Sequence, residues 1–289
     1  MKIQTLSILV GSKACNARCP FCVSKMTHSG NMDNKPPKIN WRNLHVAIKL
    51  AKASGVTTVM LTGKGEPTLW IDTIDAYLKK LEDQFPLMEI QTNGIALHDV
   101  TDETLQRWYR RGITTIAISV SHWEDEKNKE IYLPHKDKYP PLENLIKRLH
   151  DIGFSVRLNC VMTKNLIGAL GDVLKFVEFA KLNDVEQVTL TPVNYPRSAA
   201  KNMHSFWVNQ HRLTQENITE IVNYFDECGT VLMRLAHGAL VYDYYGQNVC
   251  LSNCLKVEEI DDKTVMRNLI FFPDGHLRYD WEHPGAILI

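Results

Sequence analysis

Three cysteines crowd into eight residues, Cys15-Asn16-Ala17-Arg18-Cys19-Pro20-Phe21-Cys22. Thiolates are soft ligands that suit iron–sulfur clusters and zinc. A four-iron cluster has four corners, so three local cysteines leave one iron open to a small molecule. A purely structural metal site is normally closed by a fourth ligand. His28 lies six residues after Cys22 and could supply it, which makes a Cys₃His zinc site in a binding protein the competing reading. The chain has seven cysteines, an odd number. A secreted disulfide framework would spread them more evenly and would suit a shorter chain.

Other polar groups fall where β-branched runs end. Thr62-Gly63-Lys64-Gly65-Glu66-Pro67-Thr68 is a loop whose glycines let backbone groups approach a ligand, or merely form a tight turn. Gln91-Thr92-Asn93-Gly94 reads as polar contacts or as an Asn-Gly turn. Ser119 ends another run. In Val156-Arg157-Leu158-Asn159-Cys160, alternation puts Arg157 and Asn159 on one face of a strand. A cation and an amide on a barrel interior are costly to bury without partners. Arginine suits a carboxylate held in a bidentate pair, whether a ligand's or a structural partner's.

The elements that must position these groups follow from the apolar pattern. Strands are expected over about 4–10, 56–61, 88–92, 113–120, 154–161 and 187–191. Helical patterns occupy about 40–53, 71–83, 101–111, 142–151 and 168–182. Six βα units imply an α/β fold with a parallel sheet, read here as a (β/α)₆ partial TIM barrel over residues 1–193. Ligands should gather at the C-terminal ends of its strands. Residues 194–289 form a C-terminal extension. It holds a basic and aromatic segment (Arg197, Lys201, His204, Trp207, His211, Arg212), a helix over about 214–227, and a terminal β-hairpin turning at Pro273-Asp274-Gly275. Basic groups beside an aromatic suit a phosphorylated or nucleotide-like small molecule, and a solvated surface helix accounts for them almost as well.

Composition excludes several classes. Lysine plus arginine equals aspartate plus glutamate at 33 each, so no global field draws in nucleic acid or a membrane surface. No apolar run reaches the ~20 residues of a membrane span, and the first residues lack a signal peptide's apolar core. A reducing cytoplasm is the expected location.

The C-x₃-C-x₂-C spacing, with Phe21 before the last cysteine, resembles the radical S-adenosylmethionine superfamily. That resemblance implies a [4Fe–4S] cluster on Cys15, Cys19 and Cys22 whose open iron is chelated by the methionine amine and carboxylate. An electron from the cluster then cleaves the sulfonium to a 5′-deoxyadenosyl radical. It also implies an external electron donor such as flavodoxin or ferredoxin, and a small-molecule substrate or, in other branches, a peptide or protein. By the same resemblance Phe21 lies near the adenine. Gly63, Lys64, Gly65 and Glu66 stand where the family has a glycine–glycine–glutamate motif gripping the methionine amine, with Lys64 replacing the second glycine. Thr92 and Asn93 fall at polar cofactor contacts, Ser119 at a contact to the ribose or methionine part, and Arg157, beside Asn159, at a basic residue binding the methionine carboxylate.

The C-terminal part resembles relatives of the GTP cyclase of molybdopterin synthesis and their cysteine-rich (SPASM/twitch-like) branch, which carry extra cysteines before a hairpin. Here Cys250 and Cys254 are present, and the cysteine expected after the hairpin is absent. One cluster, rather than one plus an auxiliary, is the expectation.

Overall fold

The computed structural model describes residues 2–29, 32–35, 38–196, 199, 202–235, 238–252, 265–281, 283 and 285–289. Six parallel strands follow one another in space as in sequence: β1 (Lys2–Leu9), β2 (Thr58–Thr62), β3 (Leu87–Thr92), β4 (Ile113–Val120), β5 (Ser155–Met162) and β6 (Gln187–Pro192). Between them run α1 (Trp41–Ala53), α2 (Ile71–Leu81), α3 (Asp102–Arg110), α4 (Asp125–Tyr132), α5 (Leu142–Ile152) and α6 (Leu170–Leu182). Parallel neighbours need such crossovers, and a helix is the compact way to make one.

Local chemistry sets the boundaries. The Asn40 side chain accepts from the Asn43 N–H and caps α1, and Thr101 does the same for α3 through Thr104. Along β5 and β6, buried and half-buried residues alternate. Val156, Leu158, Cys160 and Met162 belong to the main hydrophobic core, which also takes in Leu44, Ile74, Leu78, Leu105, Leu145 and Phe176 from the helices. The opposite face carries Ser119, Arg157, Asn159, Gln187 and Thr189. There the register sets Ser119 beside Asn159, and Arg157 beside both Ala117 and Gln187. Cys160 is fully buried in the core, on the face away from Arg157.

The last third of the chain extends the same sheet at both sides. After α7 (Met203–His211) and α8 (Gln215–Cys228) come β7 (Thr230–Arg234), β8 (Leu240–Tyr244) and β9 (Gln247–Leu251). β9 pairs parallel with β6, and β8 and β7 then pair antiparallel outward. At the other side, β10 (Val265–Phe271) pairs parallel with β1, and β11 (Leu277–Arg278) pairs antiparallel with β10 across a turn at 272–276. The result is one eleven-stranded sheet in the order β11-β10-β1-β2-β3-β4-β5-β6-β9-β8-β7.

Two departures from the sequence reading stand out. The polar stretch after β4 contains α4, and residues 230–251 form three strands where none was expected. Cys254, Arg197 and Lys201 lie outside the described residues. Among the described residues, no helix is long and apolar enough to cross a membrane.

Candidate active site

The three cysteines lie half-buried on the loop that leaves the C-terminal end of β1. That loop is held on two sides. On one, Ala17 forms an antiparallel bridge with Pro134, while Arg18 N–H donates to the Tyr132 carbonyl at 2.9 Å and His135 N–H to the Asn16 carbonyl at 2.9 Å. The segment ending α4 therefore clamps the cysteine loop, and the Tyr132 carbonyl lies 3.8 Å from Cys19 Sγ.

On the other side, the loop after β2 comes so close that only glycine fits. A Cβ on Gly65 would lie 2.0 Å from the Ala14 carbonyl oxygen. Glu66 N–H donates to that same oxygen at 3.0 Å. The Glu66 side chain is 3% exposed and turns inward. Its Oε1 accepts from Thr68 N–H (3.0 Å), Thr68 Oγ1 (2.6 Å) and Thr92 Oγ1 (2.6 Å), and its Oε2 from Asn93 N–H (2.9 Å). Burial pushes this carboxyl above the usual carboxylate range, and the four donors pull it part of the way back. Glu66 is thus a clip between the ends of β2 and β3. Among the described residues nothing donates to the carbonyls of Gly63, Lys64 or Gly65.

Asn93 closes the ring. Its Nδ2 donates to Asn16 Oδ1 at 2.8 Å and lies 3.8 Å from Cys15 Sγ, while its Oδ1 accepts from Ile95 N–H. Gly94, at φ +77°, makes the turn that allows this. Asn16 was not singled out from the sequence, although it stands between two of the cysteines.

Lys64 is 6% exposed. Its ammonium donates to Thr27 Oγ1 at 2.7 Å and sits 5.4 Å from the Trp281 ring centroid. Thr27 in turn donates to the Val23 carbonyl at 3.0 Å, on the turn that follows Cys22. Burial brings the Lys64 ammonium down to about 8; a Cys22 thiolate opposes that fall, and the Arg278 cation adds to it. Neither Thr27 nor Trp281 carried a signal in the sequence.

Phe21 packs edge-on against Tyr132 (centroids 5.6 Å apart) and beside Trp207 (6.2 Å). Trp207 belongs to α7, which covers the cysteine loop. His204 Nδ1 bonds the Pro20 carbonyl at 2.9 Å, and Asn202 Nδ2 donates to the Lys25 carbonyl at 3.1 Å. Trp207 also stacks on His211, with centroids 3.8 Å apart and planes 5° apart.

Ser119 and Asn159 sit side by side on β4 and β5. Arg157 lies one layer nearer the N-terminal ends, and the carboxylate it holds is Glu89 of β3. That pair belongs to a belt of side chains. Gln91 Nε2 donates to Glu89 Oε1 (2.9 Å), Arg157 Nη1 to Gln187 Oε1 (3.4 Å), and Gln187 Nε2 to Asn248 Oδ1 of β9 (2.9 Å). Beneath it a cavity of about 320 Å³ opens among Thr58, Glu89, Thr115, Ser155, Arg157 and Asn248. Arg157 thus already holds one carboxylate through Nη2, while its Nε has no hydrogen-bond partner among the described residues.

The donor set fits an iron–sulfur cluster. Burial pushes the Cys15 thiol up to about 11 and the Cys19 thiol higher still, and nearby thiolates add to both rises. A cationic iron–sulfur core relieves both causes. Among the described residues, no three or more His, Cys, Asp or Glu side chains converge on a single metal ion. A cubane takes each of three thiolates on a different iron, whereas a closed zinc site needs four ligands around one ion.

Residues 9–181 match the radical SAM superfamily, well over half of the chain, and the protein belongs to that family. It is accordingly an enzyme, of a family that binds a [4Fe–4S] cluster and S-adenosylmethionine. Solved structures share the fold. The crystal structure of SuiB from Streptococcus suis superimposes with a TM-score of 0.62 at 15% identity, covering 96% of this chain and 60% of that one. Native anSMEcpe with bound AdoMet gives 0.55 at 18% identity, covering 78% and 60%. A radical SAM methyltransferase from Sphaerobacter thermophilus gives 0.53 at 17%, covering 77% and 63%. The chain thus spans less than two thirds of each of these neighbours. No curated protein matches the sequence.

Proposed function

We propose that this enzyme cleaves S-adenosylmethionine reductively at a cluster held by Cys15, Cys19 and Cys22, and directs the radical to a hydrogen atom of a small, phosphorylated or nucleotide-like substrate. The observation that carries the reading is the stitching of the cysteine loop to the ends of β2 and β3 through Gly65, Glu66 and Asn93. Such a joint holds three thiolates and a polar backbone rim in one fixed relation, which is what positioning a chelating ligand requires. The cluster, when bound, supplies the electron that cleaves the sulfonium to a 5′-deoxyadenosyl radical.

The chain's own residues bind and orient. The carbonyls of Gly63, Lys64 and Gly65 accept from the methionine amine, with Glu66 fixing the loop from behind. Thr92, Asn93, Ser119 and Asn159 offer polar contacts at the ends of β3, β4 and β5, and Phe21 lies against the adenine. Arg157, which also holds Glu89, takes the methionine carboxylate. Residues 1–193 act as a partial barrel of six βα units. Residues 194–289 supply the substrate side, where α7 brings His204, Trp207 and His211 over the cysteine loop.

Cys250 is buried beside Ala239 and Val241, a setting that suits a packed thiol and a single cluster. The reductant is an external one-electron donor of the flavodoxin or ferredoxin kind in a reducing cytoplasm. After anaerobic reconstitution the protein should hold about four irons per chain and form 5′-deoxyadenosine when reduced. The Cys15→Ala/Cys19→Ala/Cys22→Ala variant should form none. Product from the triple variant overturns the assignment.

A further inference from the structure

The lysine that departs from the family's glycine–glycine–glutamate pattern occupies a specific place. Its side chain does not run to solvent, as an exposed loop lysine's would. It folds under Trp281, ends on Thr27, and stops one turn from Cys22. A buried ammonium needs a counter-charge, because taking it out of water is costly unless it is paired. Among the described residues no carboxylate lies within ion-pair distance of Lys64, and Thr27 supplies only a neutral hydroxyl.

The anionic group that this position would face is the cluster proposed on Cys15, Cys19 and Cys22, Cys22 being the thiolate that acts on the Lys64 ammonium. Three thiolates on a cubane carry a net charge of minus one in the oxidised state and minus two after uptake of one electron.

We propose that Lys64 is the electrostatic partner of the cluster, a positioning residue whose fixed ammonium beside Cys22 stabilises the reduced state and so eases the first electron transfer. The inference rests on the cluster assignment above. In the step concerned, a one-electron donor is oxidised and the cluster is reduced; no bond forms or breaks, and Lys64 keeps its proton. A charge held beside the cysteine turn in a partly dry site is worth far more than one in water. Thr27 and Trp281 hold it there, so that it cannot swing out to solvent.

The test is a redox titration of the reconstituted protein, followed by the electron-paramagnetic signal of the reduced cluster, with iron counted for each variant. Lys64→Met keeps the length and removes the charge; Lys64→Arg keeps the charge. At a fixed poise, Lys64→Met should lower the ratio of reduced to oxidised cluster about tenfold, equal to about 59 mV for one electron. Lys64→Arg should stay within about threefold of the parent. An unchanged midpoint in a fully loaded Lys64→Met protein overturns the proposal, as does an equal shift in Lys64→Arg. If Lys64→Met folds but loads no iron while Lys64→Arg loads normally, the counter-charge role stands. Loss of iron from both reassigns Lys64 to packing. A parent chain that binds no iron at all sinks the cluster assignment instead, a failure distinct from these.

Discussion

The ion pair beneath the site permits a decision between two roles for Arg157. If the pair is architectural, replacing Glu89 by alanine strands a guanidinium on the interior of the sheet. Its side chain is 24% exposed, and Glu89's is 8%. Breaking a buried pair from one side costs about 3–5 kcal/mol. Water entering from the cavity below reaches the exposed quarter of Arg157 and should recover about 1–2 kcal/mol of that. Gln91 meanwhile loses its acceptor, at about 1 kcal/mol. The net expectation is about 3 kcal/mol for Glu89→Ala. Arg157→Met should cost a similar amount through the stranded Glu89 carboxylate. The double variant Glu89→Ala/Arg157→Met should cost clearly less than the sum, since no charge is left unpaired. Urea unfolding followed by circular dichroism reads all three, and calorimetry of S-adenosylmethionine binding to the reconstituted proteins reads the other role. Glu89→Ala within about 0.5 kcal/mol of the parent, together with lost ligand affinity in a stably folded Arg157→Met protein, would refute the architectural argument and return Arg157 to the cofactor.

Two further outcomes follow from the same geometry. Gly65→Ala puts a methyl group 2.0 Å from the Ala14 oxygen and 2.7 Å from its carbonyl carbon, backbone atoms that no side-chain rotation can clear; the loops must part, and iron per chain after reconstitution should fall well below the parent's, normal loading being the contrary result. In the metal-free protein, burial favours the neutral Cys15 thiol up to about 11, so the folded state binds more protons than the unfolded one above the ordinary thiol value, stability of the apo form should fall as pH rises through that window, and cluster loading, which expels the proton, should tighten; a flat apo stability between pH 9 and 11 contradicts the burial argument.

How far the sequence reaches can be traced residue by residue. A run such as Ile113–Ile118 reads directly as a strand, and the parallel α/β sheet follows from its repetition. Burial on both faces does not hold, since Thr114, Thr115 and Ser119 of β4 are only half-buried. The cysteine spacing carries its chemistry in eight residues, which is why the family is legible. Pairing at long range is not. β9 lies against β6 through Gln187 and Asn248, and β10 against β1 through Ile3 and Met266; no local pattern encodes either register. Glu89 is a nearer miss. A carboxylate inside Leu87-Met88-Glu89-Ile90 is costly to bury alone, so it signalled a partner for Arg157. Lys64 stands out in the sequence as a departure from the motif, but its destination depends on Thr27 and Trp281, which only the folded chain brings together.

The place of β1 has a consequence for biosynthesis. This strand leads into the cysteine loop, yet its neighbour on one side, β10, is made some 260 residues later, Ile3 meeting Met266. Contacts of such separation form late and slowly. While the ribosome is still delivering the middle of the chain, β1 has only β2 to pair with and shows an open edge of the kind that invites wrong partners. Trp281, which roofs Lys64, comes off the ribosome later still. The nascent chain therefore exposes its cluster loop before it can shelter it, and iron delivery is best timed to follow the completion of synthesis.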